Sequence, residues 1–225
     1  MPKIIRPVFP VTREIVSDFN GTLKITLSKG HKVLDSANAN YSYGSLQRIL
    51  KFALRRVHLP EVRNVLLLGL GGGSVVATLR EDFAFGSPIT AVELDPVVIR
   101  LAEEEFGIVA TDTLRIVCVD ALDFVRTDTE QYDLIIVDLF IDDTIPNSFL
   151  ATPFWEDVHQ RTAPGGQVLF NTIAATTPLD GVRAALHRLG FAVDELTEIE
   201  GTNTLLLARL PALAAGPDAD PGAGD

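Results

Sequence analysis

From Arg63 onward, short continuous apolar runs alternate with stretches whose apolar residues recur every three or four positions. The runs NVLLLGL, ITAVELD, LRIVCVDA, YDLIIVDLF and QVLFNTIA predict strands, because a strand covered on both faces loses its polar alternation. Between them, Val75 to Asp82, Pro96 to Phe106, a segment starting at Thr152-Pro153, and residues 179–189 predict helices. Pro96 suits a first helical turn. The sequence Pro164-Gly165-Gly166 predicts the turn that ends the helix begun at Thr152. FAVDELTE and NTLLLARL predict a closing antiparallel pair. Such alternation predicts a mainly parallel sheet with helices on both faces, an α/β domain. Upstream, Leu46, Ile49, Leu50, Ala53, Leu54 and Val57 share one helical face, and His58-Leu59-Pro60 stops that helix. Still earlier, shorter alternating stretches are broken at Asn20-Gly21 and Lys29-Gly30, and Asn-Gly predicts a hairpin. The expected organisation is a small N-terminal β-appendage over 1–42, an α/β domain over 43–210, and a disordered tail rich in Pro, Ala, Gly and Asp over 211–225.

The 30 acidic residues outnumber the 19 basic ones, for a formal charge of −11. That surface repels phosphate backbones and anionic lipid, so neither nucleic acid nor membrane is expected as a partner; cationic ligands are favoured. The first residues, MPKIIRPVFP, lack the apolar stretch of a signal peptide, and no run approaches the length of a membrane span. A cytoplasmic location is expected. The single cysteine, Cys118, lies in LRIVCV and is expected as a core thiol. His31, His58, His159 and His187 have no metal or triad spacing, and no metal is expected.

Candidate chemistry sits at the predicted strand ends. VLLLGLGGGS places Gly69, Gly71 and Gly73 in a turn that brings backbone close to a ligand. Ser74 stands where a dinucleotide loop has its last glycine, and no P-loop lysine follows. The turn therefore suits a nucleoside with a short amino-acid side chain, such as S-adenosylmethionine. A tight turn with no ligand is the alternative. Glu93 ends the second strand about twenty residues on, where a carboxylate accepts from a ribose diol. Asp95 is better explained as a helix N-cap before Pro96. Asp120 with the Ala121 N–H could meet an adenine amine and ring nitrogen, or Asp120 could simply cap ALDFVR. Asp138 ends the fourth strand, and Asp142 and Asp143 follow on its loop. Crowded acids beside a sulfonium suit a cationic amine, and one could act as general base; a solvated acidic loop is the alternative, better suited to Asp143. Tyr41 and Tyr43 could wall the ligand, or pack between appendage and main domain.

Together these residues resemble the spermidine synthase family of polyamine aminopropyltransferases, from about Gly30 to Thr172. NYSYGSLQRIL, LLGLGGGS, VELDPVVI, VDALDFV, YDLIIVDLF and APGGQVLFNT follow that family's order and spacing. The resemblance implies a Rossmann-like seven-stranded methyltransferase sheet, order 3-2-1-4-5-7-6, with a small N-terminal β-hairpin appendage. It implies Glu93 for ribose, Asp120 with Ala121 for adenine, Asp138 for the amine and its deprotonation, and Tyr43 and Asp142 for substrate. A homodimer through the appendage is implied by the same analogy. The departures are specific. Gly72 replaces the loop aspartate that holds the aminopropyl end, Gly44 replaces a glutamine, and a loop aspartate falls on Ile141, one residue before Asp142. The segment rich in tyrosine and proline that completes the polyamine site is missing.

The expectation is a transferase using S-adenosylmethionine, moving a methyl group to a small acceptor for which a cationic amine is a candidate. The alternative is aminopropyl transfer from decarboxylated S-adenosylmethionine. A catalytically silent nucleoside-binding homologue is the third possibility.

Overall fold

The computed structural model describes residues 11–28, 31–36, 40–42, 44–141, 144–173, 177–201 and 203–212. The expected disordered tail lies, from residue 213, outside the described residues. The expected hairpin is present as β1 (Val11–Ser17) and β2 (Gly21–Ser28), with Ser17 paired to Gly21 across the turn. It is extended by β3 (His31–Asp35) and β4 (Asn40–Ser42) into a four-stranded antiparallel sheet. One face of this sheet buries Leu23, Ile25 and Leu34 against Val98 and Leu101.

Helix α1 (Gly44–Leu54) buries the expected stripe of Ile49, Leu50, Ala53 and Leu54, and ends before Val57. The main domain follows with β5 (Val65–Leu68), α2 (Ser74–Ala77), β6 (Ile89–Glu93), α3 (Pro96–Phe106), β7 (Leu114–Cys118), α4 (Ala121–Thr127) and β8 (Tyr132–Val137). It continues with α5 (Asn147–Leu150), α6 (Thr152–Arg161), β9 (Thr162–Ile173), α7 (Asp180–Arg188), β10 (Ala192–Ile199) and β11 (Asn203–Arg209). The strands lie in the order β10-β11-β9-β8-β5-β6-β7. Counted from β5 and read from the β7 edge, that is the expected 3-2-1-4-5-7-6. Strands β5 to β9 run parallel, and β10 and β11 form the antiparallel closing pair.

The apolar runs are continuous because both faces are covered. Val65 and Leu67 join one buried cluster and Leu66 and Leu68 the opposite one, and β8 divides in the same way from Leu134 onward. Three details differ from expectation. The helix expected over Val75 to Asp82 is the short α2 followed by a π-helical turn over Thr78–Asp82. Pro164-Gly165-Gly166 does not separate α6 from a strand but lies inside β9, as an irregularity between the pairs Tyr132–Thr162 and Leu134–Gln167. Cys118 is exposed rather than in the core. It ends the edge strand β7, where only Leu114 is buried, so an apolar sequence run there does not mean an enclosed thiol.

Candidate functional site

The carboxyl ends of β5, β6 and β8, with the Asp120–Ala121 turn beyond β7, open onto one cavity of about 220 Å³. This is where ligands bind in an open α/β sheet. Gly69, Gly71, Glu93, Asp120, Ala121 and Asp138 all line it. Six of the sequence-predicted site residues are thus brought together from four strand ends, although they span seventy positions of the chain.

Two of the glycines serve different purposes. Gly69 has φ +96°, and a Cβ there would stand 2.1 Å from the Asp138 carbonyl oxygen. Only glycine lets β5 leave the sheet so close to β8. Gly73 has φ +80°, and a Cβ would stand 2.4 Å from Ile108 Cγ1. Gly73 is not among the residues lining the cavity, and its close packing against Ile108 is by itself enough to require a glycine there.

Glu93 is held by the backbone on both carboxylate oxygens. The Asp95 N–H donates to Oε1 at 3.1 Å and the Gly71 N–H to Oε2 at 3.2 Å. Burial raises its pKa, and these amide bonds oppose the rise by favouring the ionised form. The glycine turn therefore orients the acid as well as approaching the cavity. Asp95 behaves as expected of an N-cap: its Oδ1 accepts from the Val97 N–H at 2.8 Å. Its Oδ2 does something the sequence did not suggest, accepting from Asn20 Nδ2 at 2.7 Å and from the Ser17 hydroxyl. The same Ser17 oxygen accepts from the Phe19 and Asn20 N–H groups. The hairpin tip is thereby pinned to the start of α3, and Phe19 and Asn20 become part of the cavity wall.

Asp120 caps α4, its Oδ1 accepting from the Leu122 N–H at 2.7 Å, and it lines the cavity as well. Both alternatives raised for it are compatible in one residue, since a carboxylate has two oxygens. Asp138 follows the buried run of β8. Burial pushes its pKa up to about 6, against the opposing effect of a hydrogen bond from Asn171 Nδ2 to Oδ1 at 2.8 Å. Near neutral pH such a group is mostly ionised yet close enough to titration to take up a proton. The wall beyond it is apolar and includes Leu139, Phe140, Ile141, Pro146 and Phe149. Phe149 begins an edge-to-face series through Phe154 and Trp155 to Phe170, with centroids 5.0 to 5.2 Å apart, which fixes that wall to β9.

Tyr43 and Asp142, expected on the substrate, and Asp143 lie outside the described residues. Phe19, Asn20, Leu46 and Asn171 were not anticipated. The Asn20-Gly21 turn signal marked the hairpin but not what its tip would touch. Asn171 could have been noticed as a lone amide in the apolar run VLFNTI. Among the described residues, no group of three or more His, Cys, Asp or Glu is placed to hold a metal, and no helix is long and apolar enough to cross a membrane.

Residues 49–177 match the Spermine/spermidine synthase domain. The chain belongs to that family. Its relatives fall into two named groups. A polyamine aminopropyltransferase of Vibrio vulnificus is 30% identical over 159 residues, covering 68% of this chain and 52% of the relative. An eEF1A lysine and N-terminal methyltransferase homolog of Drosophila melanogaster is 29% identical over 164 residues, covering 68% of this chain and 24% of the relative. The chain thus spans about half of one and a quarter of the other. Among solved structures, human Methyltransferase-like protein 13 in complex with SAH superposes with a TM-score of 0.63 at 26% identity, covering 78% of this chain and 86% of that one. The spermidine synthase family match begins within α1, so the hairpin tip that walls the cavity precedes it.

Proposed function

We propose that this chain is an S-adenosylmethionine-dependent transferase that methylates an amine acceptor. The observation that carries the proposal is a single cavity with two differently held acids: Glu93, clamped by amides, and Asp138, half-buried and held by Asn171 at the next strand but one. The residues present fit an adenosine-bearing group. Glu93 would hold the ribose diol, with Gly69 and Gly71 close by, and Asp120 with Ala121 would meet the adenine edge. Such a group, when bound, supplies a sulfonium carbon open to attack. Asp138 would orient the acceptor nitrogen and take its proton. The apolar wall would limit the water around the acceptor at that end of the cavity. Methyltransferase relatives named for lysine and N-terminal acceptors support an amine. Tyr43 and Asp142 remain proposed substrate contacts.

Aminopropyl transfer from decarboxylated S-adenosylmethionine is the second reading. The family match and the Vibrio relative favour it. Gly72, where the resemblance calls for an aspartate, disfavours it. We further infer a division into 1–42 and 43–210, a cytoplasmic location, and a homodimer through the N-terminal strands.

Calorimetric titration with S-adenosylmethionine, its decarboxylated form and methylthioadenosine tests the proposal. Tighter binding of S-adenosylmethionine is expected. Preference for the decarboxylated form, with spermidine made from putrescine, would replace methyl transfer by aminopropyl transfer. Failure of all three to bind would overturn both.

A further inference from the structure

Three polar side chains run in line from the β11 strand to the cavity. Asn203 donates from Nδ2 to Oδ1 of Asn171 at 2.9 Å, and Asn171 donates from Nδ2 to Oδ1 of Asp138 at 2.8 Å. Asn171 is fully buried and Asn203 nearly so. Strand register makes the first contact: Leu205 pairs with Asn171 and Asn203 with Ile173, so the two amides are diagonal neighbours across β9 and β11.

The direction of the chain matters. An amide has one accepting end and one donating end. Because Oδ1 of Asn171 is engaged by Asn203, turning the Asn171 amide over would set two NH₂ groups against each other and an oxygen against Asp138. Asn203 therefore reinforces the orientation that the accepting carboxylate already selects in Asn171. An N–H in that position requires an unprotonated oxygen opposite it. Bonds aligned in series also polarise one another in a buried setting.

We propose that Asn171, locked in place by Asn203, is a positioning residue that ties Asp138 Oδ1 to β9 and so turns Oδ2 toward the acceptor. This rests on the assignment of Asp138 as the acceptor-facing carboxylate. Neither amide is expected to touch cofactor or acceptor; both act through Asp138. Glu93 and Asp120 are the other carboxyl groups on the described wall of the cavity, and Asp142 and Asp143 follow in the chain outside the described residues.

The test is a ¹³C NMR titration of the Asp138 carboxyl in the full chain, with Asp138→Asn identifying its resonance. Asn171→Leu, which keeps volume and removes the donor, should move the Asp138 midpoint upward by about one pH unit, because a hydrogen bond to an ionised group has been lost. Asn203→Ala should move it the same way by a smaller amount, since the Asn171 amide then loses the partner that holds its oxygen end. A merely structural role for the amides would lower thermal stability and leave the midpoint in place. An unmoved midpoint in folded Asn171→Leu overturns the proposal. If Asn171→Leu does not fold, Asn203→Ala decides, and an unmoved midpoint there overturns it equally. The titration needs neither cofactor nor acceptor, so its outcome is separate from the calorimetry that tests the transferase assignment.

Discussion

Alanine substituted at Gly107, Gly73 and Gly69 should give a graded loss of stability set by what the new methyl group meets. All three glycines have positive φ, +71°, +80° and +96°, so each variant carries left-handed backbone strain of roughly 1–2 kcal/mol. A stiffer unfolded chain returns about half of that. At Gly107 nothing lies within 4 Å of the new Cβ, so the net loss should be about 1 kcal/mol. At Gly73 the Cβ would stand 2.4 Å from Ile108 Cγ1, a side chain that can move, adding an overpacking term of about 1–3 kcal/mol. At Gly69 the obstacle is the Asp138 carbonyl oxygen at 2.1 Å, part of the sheet itself, and the loss should reach about 4 kcal/mol or more. For a chain of 225 residues each kcal/mol moves Tm by about 2–4 °C, so calorimetric melting should separate the three. A second measurement isolates the cause. In an Ile108→Ala background only the Cβ at 3.1 Å remains in the way, so Gly73→Ala should cost little more than its backbone share, about 1 kcal/mol. Equal losses for all three variants, or no coupling between Gly73 and Ile108, would refute the packing argument and return Gly73 to the ligand.

Glu93→Ala should weaken S-adenosylmethionine binding by on the order of 2 kcal/mol, read by calorimetry; an unchanged affinity would mean that the ribose sits elsewhere. For Asp138 the raised pKa has a stability consequence. The group favours the fold when protonated, fully below its ordinary value of 3.8, and that contribution is lost as pH rises through about 6. Asp138→Asn stays neutral, so its stability advantage over wild type in urea melts should be larger at pH 8 than at pH 4.5 by on the order of 2 kcal/mol. An advantage independent of pH would show that burial does not govern this carboxyl. Asp95→Ala removes the α3 cap and the acceptor for Ser17 and Asn20, at a cost of about 2–4 kcal/mol. Hydrogen exchange should then quicken in β1 and β2 before β5, and uniform quickening would argue against the pin.

The strands of the main sheet were legible because those covered on both faces are written as unbroken apolar runs, whereas their order came from the family resemblance. The places of Glu93, Asp120 and Asp138 on the cavity wall were legible because each follows an apolar run of sequence, and the ends of parallel strands face one side. Other features depend on neighbours distant in the chain. Cys118 looked buried because hydropathy does not reveal that β7 is an edge. The packing need at Gly73 was illegible because Ile108, which it meets, lies across a helix and its C-cap. Asp95 was legible as a cap, a local matter, and illegible as a tether to Ser17, 78 positions away. Strands β3 and β4 carried no turn signal as strong as Asn20-Gly21.

The pin at Asp95 separates two tasks that usually compete. The residues that fasten the hairpin, Ser17 and Asn20, grip a carboxylate that the helix start already fixes. Phe19 sits between them, half exposed, on the cavity wall. Its side chain takes no part in these hydrogen bonds of the anchorage, which use Ser17, Asn20 and the Phe19 backbone N–H. The hairpin tip is therefore a natural point at which descendants of one ancestor, or a protein engineer, could retune what the cavity admits while the scaffold beneath stays constant.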